Sequence, residues 1–144
     1  MISVAGMQGM TAIRNSDYSA SKAALMSFFD CLRQELADEG DKSISITNIY
    51  PYIINTQLFN GFSGLALKII PMLDQEQVAK RVFSALYNKE QEVYIPWYCN
   101  ILGIGMLVAR TISEDLRMKI IKLLMGNGMK TLKCRGTNLE KKSE

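Results

Sequence analysis

The chain has 144 residues, 48% of them hydrophobic and 22% charged, the balance of a folded globular polypeptide rather than a disordered one. It contains no histidine, which excludes Ser-His-Asp and Cys-His nucleophile systems and argues against a metal centre; its three cysteines (Cys31, Cys99, Cys134) are scattered and odd in number, so neither zinc spacing nor a disulfide framework can be drawn and a reducing compartment is expected. The net charge of +3 is uneven: residues 1–109 sum to −2 and residues 110–144, with 9 basic and 4 acidic groups, to +5.

In chain order, residues 1–5 are expected to form the stub of a strand, and Ala5 to Asn15 a loop in which Gly6 and Gly9 permit tight turns. Ser16 is a good N-cap, with Asp17 in the first helical turn. The helix then runs through Ala20, Ala23, Ala24, Phe28, Leu32 and Leu36 to Gly40, a suitable stop. Its small residues Ala20, Ser21 and Ala24 would let another helix or a cofactor approach closely. Ser43 to Tyr50 alternates and is β-branched, as a strand should be. Residues 51–73 lack a clean period but carry Leu58, Phe59, Phe62, Leu65 and Leu67 between prolines and glycines. A loop so apolar is expected to cover something, a small irregular helix on the core being the bland alternative.

Asp74-Gln-Glu-Gln77 resembles a capping box and opens a helix with Val78, Val82, Phe83, Leu86 and Tyr87 on its apolar side. Glu92 to Pro96 reads as a short strand closed by proline. From Val93 to Ala109 there are 17 residues without a charge, interrupted by Pro96 and Asn100. A spanning helix needs about 20 predominantly apolar residues, so an interfacial hairpin or a helix over a substrate mouth fits better. Ser113 is placed to cap a second amphipathic helix, Glu114 to Met125, ended by Gly126-Asn127-Gly128. The tail after it is basic and expected to be disordered. A basic end beside an apolar stretch suits an anionic membrane surface better than nucleic acid, with a solvated tail as the bland alternative. Met1-Ile2-Ser3 has none of the features of a signal peptide.

Tyr18 and Lys22 are the candidate pair for chemistry. They stand four apart in Asp17-Tyr-Ser-Ala-Ser-Lys-Ala-Ala-Leu25, so both project from one helical face. A phenol titrates near pH 10, and a neighbouring ammonium group favours its anion, which makes the pair a candidate acid/base for an alcohol or carbonyl. The spacing alone is weakly specific.

Its surroundings sharpen it. Ser3-Val4-Ala5-Gly6 precedes the pair, and Ile44-Ser-Ile-Thr-Asn-Ile-Tyr-Pro-Tyr-Ile-Ile-Asn-Thr56 follows it. Over about residues 1–96 this order resembles the catalytic half of the short-chain dehydrogenase/reductase family: a Ser, then Tyr-x3-Lys, then a strand ending in Pro-Gly-x-Val-x-Thr. The resemblance implies that Ser3 orients the substrate oxygen and that Tyr18 exchanges the proton. Lys22 would lower the Tyr18 pKa and hold the nicotinamide ribose. Together with Tyr18 and Lys22, Pro51, Ile54 and Thr56 would contact the cofactor, Thr56 at the carboxamide end. Two departures stand out. Fourteen residues separate Ser3 from Tyr18, a longer loop than usual, and Tyr52 replaces the glycine after Pro51, as in the retinol and 17-beta-hydroxysteroid dehydrogenase subgroup.

The fold so implied is α/β: the C-terminal half of a doubly wound, Rossmann-like parallel sheet with an appended helical segment. Its parts would be a partial catalytic segment (1–96), an apolar and basic helical segment (97–126) and a disordered basic tail (127–144). The glycine pairs Gly103-x-Gly105 and Gly126-x-Gly128 do not continue into a pyrophosphate-binding fingerprint. The chain as given is therefore expected to be incomplete and to bind dinucleotide poorly alone. The implied activity is NAD- or NADP-dependent oxidation or reduction at the CH–OH of a lipophilic alcohol, a retinoid, steroid or fatty alcohol. Residues 51–73 would be the substrate lid and the Tyr18 helix a homodimer interface. The expected location is the cytosolic face of the endoplasmic reticulum membrane or a lipid droplet, with the cytoplasm as alternative; neither nucleic acid nor metal is expected. A second class of function, a non-catalytic membrane-associated interaction module derived from such an enzyme, also fits the missing fingerprint.

Overall fold

The computed structural model describes residues 1–7, 16–56, 68 and 70–125. Gly9, the apolar residues Leu58 to Leu67, the Gly126–Gly128 stop and the tail expected to be disordered lie outside the described residues. Among the described residues the elements are a 3-10 turn Val4–Gly6, α1 (Ser16–Asp38), β1 (Asn48–Pro51), α2 (Gln75–Tyr87), β2 (Glu92–Ile95), α3 (Cys99–Ile112) and α4 (Glu114–Met125). This is a mixed α/β arrangement with two parallel strands.

β1 and β2 pair in the register Asn48↔Glu92, Ile49↔Val93, Tyr50↔Tyr94 and Pro51↔Ile95. Alternation along the strands divides the residues between two faces. Ile49 and Val93 pack with Ala85 and Val82 of α2. On the other face Tyr50 and Tyr94 stack with ring centroids 4.7 Å apart. Tyr50 is in one cluster with Ile2, Val4, Ile70 and Cys99, and Met26 of α1 packs against it. The sheet thus lies between α1 and α2, and each face buries an apolar stripe.

Ile2 donates its backbone N–H to the Ile49 carbonyl at 2.8 Å, which places the first residues beside β1. The expected strand stub goes no further. The Ser3 hydroxyl accepts the Ala5 N–H at 3.2 Å and turns the chain into the 3-10 turn. The strand expected from Ser43 begins only at Asn48. Asn48 makes the first rung by donating to Gln91, and the chain before Gln91 is the turn leaving α2, so residues 43–47 have no ladder partner there.

Helix boundaries follow local chemistry. α1 includes Ser16 as its first residue and ends in a Schellman arrangement: Gly40 has φ +70, its N–H donates to Ala37 and the Asp41 N–H to Leu36. The inward side of α1 is Ser19, Met26, Asp30 and Arg33, whereas Ala20, Ala24 and Phe28 of the expected apolar face are exposed. Asp74 caps α2 by accepting the Gln77 N–H at 3.0 Å. Its buried face is Val78 and Ala85 with Val82 half-buried, while Phe83, Leu86 and Tyr87, expected inside, point outward. A sheet of two short strands offers α2 only one narrow contact line. The uncharged run does form a helix, α3, and Ser113 accepts the Leu116 N–H at the start of α4.

Candidate active site at the carboxyl edge of β1

The 3-10 turn after Ser3 sits directly on α1. A Cβ at Gly6 would lie 2.7 Å from the Lys22 carbonyl carbon, so only glycine lets the two backbones approach this closely. Ser3 is buried. The contact sets its segment against the helical turn that carries Tyr18 and Lys22, both half-buried. The Lys22 ammonium stands over the Tyr18 ring, 5.5 Å from its centroid. The Ser21 hydroxyl donates to the Tyr18 carbonyl at 2.7 Å.

Pro51 closes β1 at the carboxyl edge of the parallel pair, the edge at which open α/β sheets bind ligands. The backbone continues at that edge: Tyr52 donates to the Ile95 carbonyl at 2.8 Å. Ile54 forms an isolated parallel bridge with Leu73. Leu73 donates to Ile53 at 2.8 Å and Asn55 to Leu73 at 2.9 Å, which pins together the two ends of the segment expected to be a lid. Gln75 adds a bond from its amide to the Asn55 carbonyl at 2.6 Å. Thr56 is half-buried just beyond this clasp.

Two groups of residues, one at each end of the strand pair, were not visible as groups in the sequence. Tyr52 and Tyr98 pack on the cluster that contains buried Cys99. Burial pushes the Cys99 thiol up to about 11, and burial, with Cys99 and Tyr98 adding to it, pushes the Tyr52 phenol up to about 12. This part of the core therefore carries no charge at neutral pH. At the opposite, amino edge, buried Asn48 donates to Glu92 at 3.1 Å and to Asp30 at 3.4 Å, and Arg33 bonds the same two carboxylates. This network ties α1 to both strands and fixes the roll of the helix that presents Tyr18 and Lys22. Asn48, a polar residue within the expected strand, was its one visible sign. Among the described residues no group of acidic or cysteine side chains could hold a metal ion.

Residues 1–64 match the family model "short chain dehydrogenase", and Ser3, Tyr18, Lys22, Pro51, Ile54 and Thr56 all fall within that span. The chain is 30% identical over 122 residues to short-chain dehydrogenase/reductase family 16C member 6 of Bos taurus, covering 85% of this chain and 37% of that protein. It is 29% identical over 94 residues to epidermal retinol dehydrogenase 2 of Mus musculus, 65% of this chain and 30% of the relative. To short-chain dehydrogenase/reductase 3 of Homo sapiens it is 30% identical over 88 residues, 61% of this chain and 28% of the relative. The chain thus spans about a third of the length of these relatives. With the Ser, Tyr-x3-Lys and Pro-x3-x-Thr elements in order along a parallel strand pair, it belongs to the short-chain dehydrogenase/reductase family.

Proposed function

We propose that this chain supplies the catalytic segment of an NAD(P)-dependent oxidoreductase acting on the CH–OH group of a lipophilic alcohol, a retinoid, steroid or fatty alcohol. The observation that carries the reading is the contact of Gly6 with Lys22, which holds the Ser3 turn against the pair Tyr18–Lys22. In this reading the chain is the C-terminal half of a doubly wound sheet, with α3 and α4 appended.

The donor set suits the nicotinamide-ribose end of a dinucleotide: an ammonium group at Lys22 for the ribose hydroxyls, and a half-buried hydroxyl at Thr56, beyond Pro51 and Ile54, for the carboxamide. A bound nicotinamide supplies the hydride acceptor, or in its reduced form the donor. The side chains of this chain do the rest. Ser3 orients the substrate oxygen. Tyr18 takes the hydroxyl proton in the oxidative direction and returns it in the reductive one. Lys22 stands beside that phenol, its ammonium over the ring.

A lipophilic substrate is supported by the apolar composition of residues 51–73, whose ends are clasped at Leu73. One relative is named a retinol dehydrogenase. The same reading assigns the exposed side of α1, with Ala24, Leu25 and Phe28, to a second copy of the chain.

A hybrid tests the proposal: residues 1–125 replace their counterpart in the bovine relative, and alcohol-dependent reduction of NAD or NADP is followed with retinol, a steroid alcohol and a long-chain alcohol. Turnover that falls by about 10²-fold or more in Tyr18→Phe is expected. Near-unchanged turnover in that variant overturns the mechanism.

A further inference from the structure

α3 buries Cys99, Gly103 and Ala109, and its opposite side is exposed among the described residues. That side carries Ile101, Ile104, Val108 and Ile112 at helical spacing, and Trp97 continues the row just before the helix. These are large side chains, and each is at least half exposed, from 50% at Val108 to 71% at Trp97. No charged residue interrupts the row.

α4 packs beside α3 and buries Ile121. Its outer side combines apolar and cationic groups: Leu116 and Leu123 are exposed, Lys119 and Lys122 lie between them, and Asp115 sits at the start. Among the described residues neither lysine enters an ion pair. Arg117 differs. Its guanidinium makes a two-pronged contact with Glu114 and is mostly covered, so it is not free to meet an outside anion.

We infer that the uncovered faces of α3 and α4 dock on a bilayer surface containing anionic phospholipid head groups. The apolar row would enter the acyl boundary, with Lys119 and Lys122 at the level of the phosphates. Charge complementarity selects this occupant: residues 110–144 carry 9 basic against 4 acidic groups, directly after the apolar row. Length determines how the surface is met. The 14 residues of α3 extend about 21 Å, short of the roughly 30 Å hydrocarbon core, and among the described residues no helix is long and apolar enough to cross a membrane. The helices therefore lie on the bilayer. Tryptophan favours the same boundary region, where its ring is apolar and its N–H stays hydrated.

Trp97 is the chain's only tryptophan and serves as the probe. The full chain is titrated with phosphatidylcholine vesicles and with vesicles that also contain phosphatidylserine, and Trp97 emission and vesicle flotation are both read. A blue shift and flotation with the anionic vesicles, reversed by high salt, are the expected result. Ile104→Asp with Val108→Asp should abolish both. Lys119→Gln with Lys122→Gln should lower partition by about 10-fold or more. All four positions except half-exposed Val108 are well exposed, and far-UV circular dichroism verifies that each variant keeps its helices. Absence of a shift with anionic vesicles overturns the inference, as does binding that the Asp variant leaves intact. A shift that needs no vesicles and grows with protein concentration, together with a dimer in sedimentation that the Asp variant dissolves, assigns the face to a second copy and also overturns it. The test needs no dinucleotide, so its outcome is independent of the proposed chemistry.

Discussion

Gly6 and Lys22 approach so closely that a methyl group on Gly6 would meet the Lys22 carbonyl carbon at 2.7 Å and its Cβ at 2.8 Å. Both are atoms of a helix that cannot yield without shifting the helix itself. Gly6→Ala must therefore push the Ser3 turn away from α1. Overpacking of this kind costs roughly 1–3 kcal/mol. A lower denaturation midpoint is expected, with an unchanged slope on denaturant. Wild-type stability in Gly6→Ala would show that the turn and the helix are not locked together.

Ser3 has two duties that a conservative pair of variants can separate. Its hydroxyl accepts the Ala5 N–H at 3.2 Å, and in the proposed reading it also orients the substrate oxygen. Ser3→Ala should lose about 0.5–2 kcal/mol of stability, as cap removals do, and should also slow turnover of the hybrid enzyme. Ser3→Thr keeps the acceptor and should restore both. If Ser3→Ala lowers stability while kcat and KM stay unchanged, Ser3 is a turn-former and nothing more.

Local chemistry made much of this fold legible in the sequence. The Asp74 cap, the Gly40 stop and the Ser113 start of α4 all depend on residues near one another in the chain. What escaped depends on distant neighbours. Phe83, Leu86 and Tyr87 have the right spacing for burial but meet no sheet, because β1 and β2 are only four residues long. Asn48 reads as a minor polar residue in a strand, yet it is buried between Asp30 and Glu92, which are 18 and 44 residues away. Of the candidate site, the shared helical face of Tyr18 and Lys22 was legible from their spacing, whereas Ser3, Pro51, Ile54 and Thr56 were singled out through the family resemblance. The packing of Tyr52 beside Cys99 was not legible, since it is set by a helix 47 residues downstream.

Asn48→Asp should expose how finely that amino-edge network is balanced. The amide donates to Asp30 and Glu92, and a carboxylate in its place would face two others with only Arg33 to offset them. Like charge and burial would raise the new group's pKa in the folded state. An acid whose folded pKa is raised costs stability above its unfolded value and nothing below it. The variant should thus be destabilised by roughly 2–4 kcal/mol at pH 7 and should recover most of that loss near pH 4. Denaturant titrations at the two pH values check this; an equal deficit at both would mean that lost hydrogen bonds, not charge, dominate.

Alkaline pH should weaken the core beside the carboxyl edge. Burial raises the Cys99 thiol from an ordinary value of 9.0 to about 11, and burial with Cys99 and Tyr98 raises the Tyr52 phenol from 10.0 to about 12. Below about pH 8 both groups are essentially neutral in the folded and unfolded chain, so they add no pH dependence. Between about pH 9 and 12 the unfolded chain gives up protons that the folded one retains. The unfolded state then binds fewer protons, and the slope of stability on pH is negative. Stability should fall steadily across that window. Tyr52→Phe with Cys99→Ala removes both ionisations and should flatten the fall, although the double variant starts from a lower value at pH 7 because Cys99 fills a buried site. Part of the slope should persist, since burial also raises Tyr50 and Tyr94, with Glu92 adding to the effect. Chemical denaturation at intervals from pH 7 to the end of the window measures the two slopes. A double variant that loses stability with pH as steeply as the parent chain would remove Tyr52 and Cys99 from the buried core.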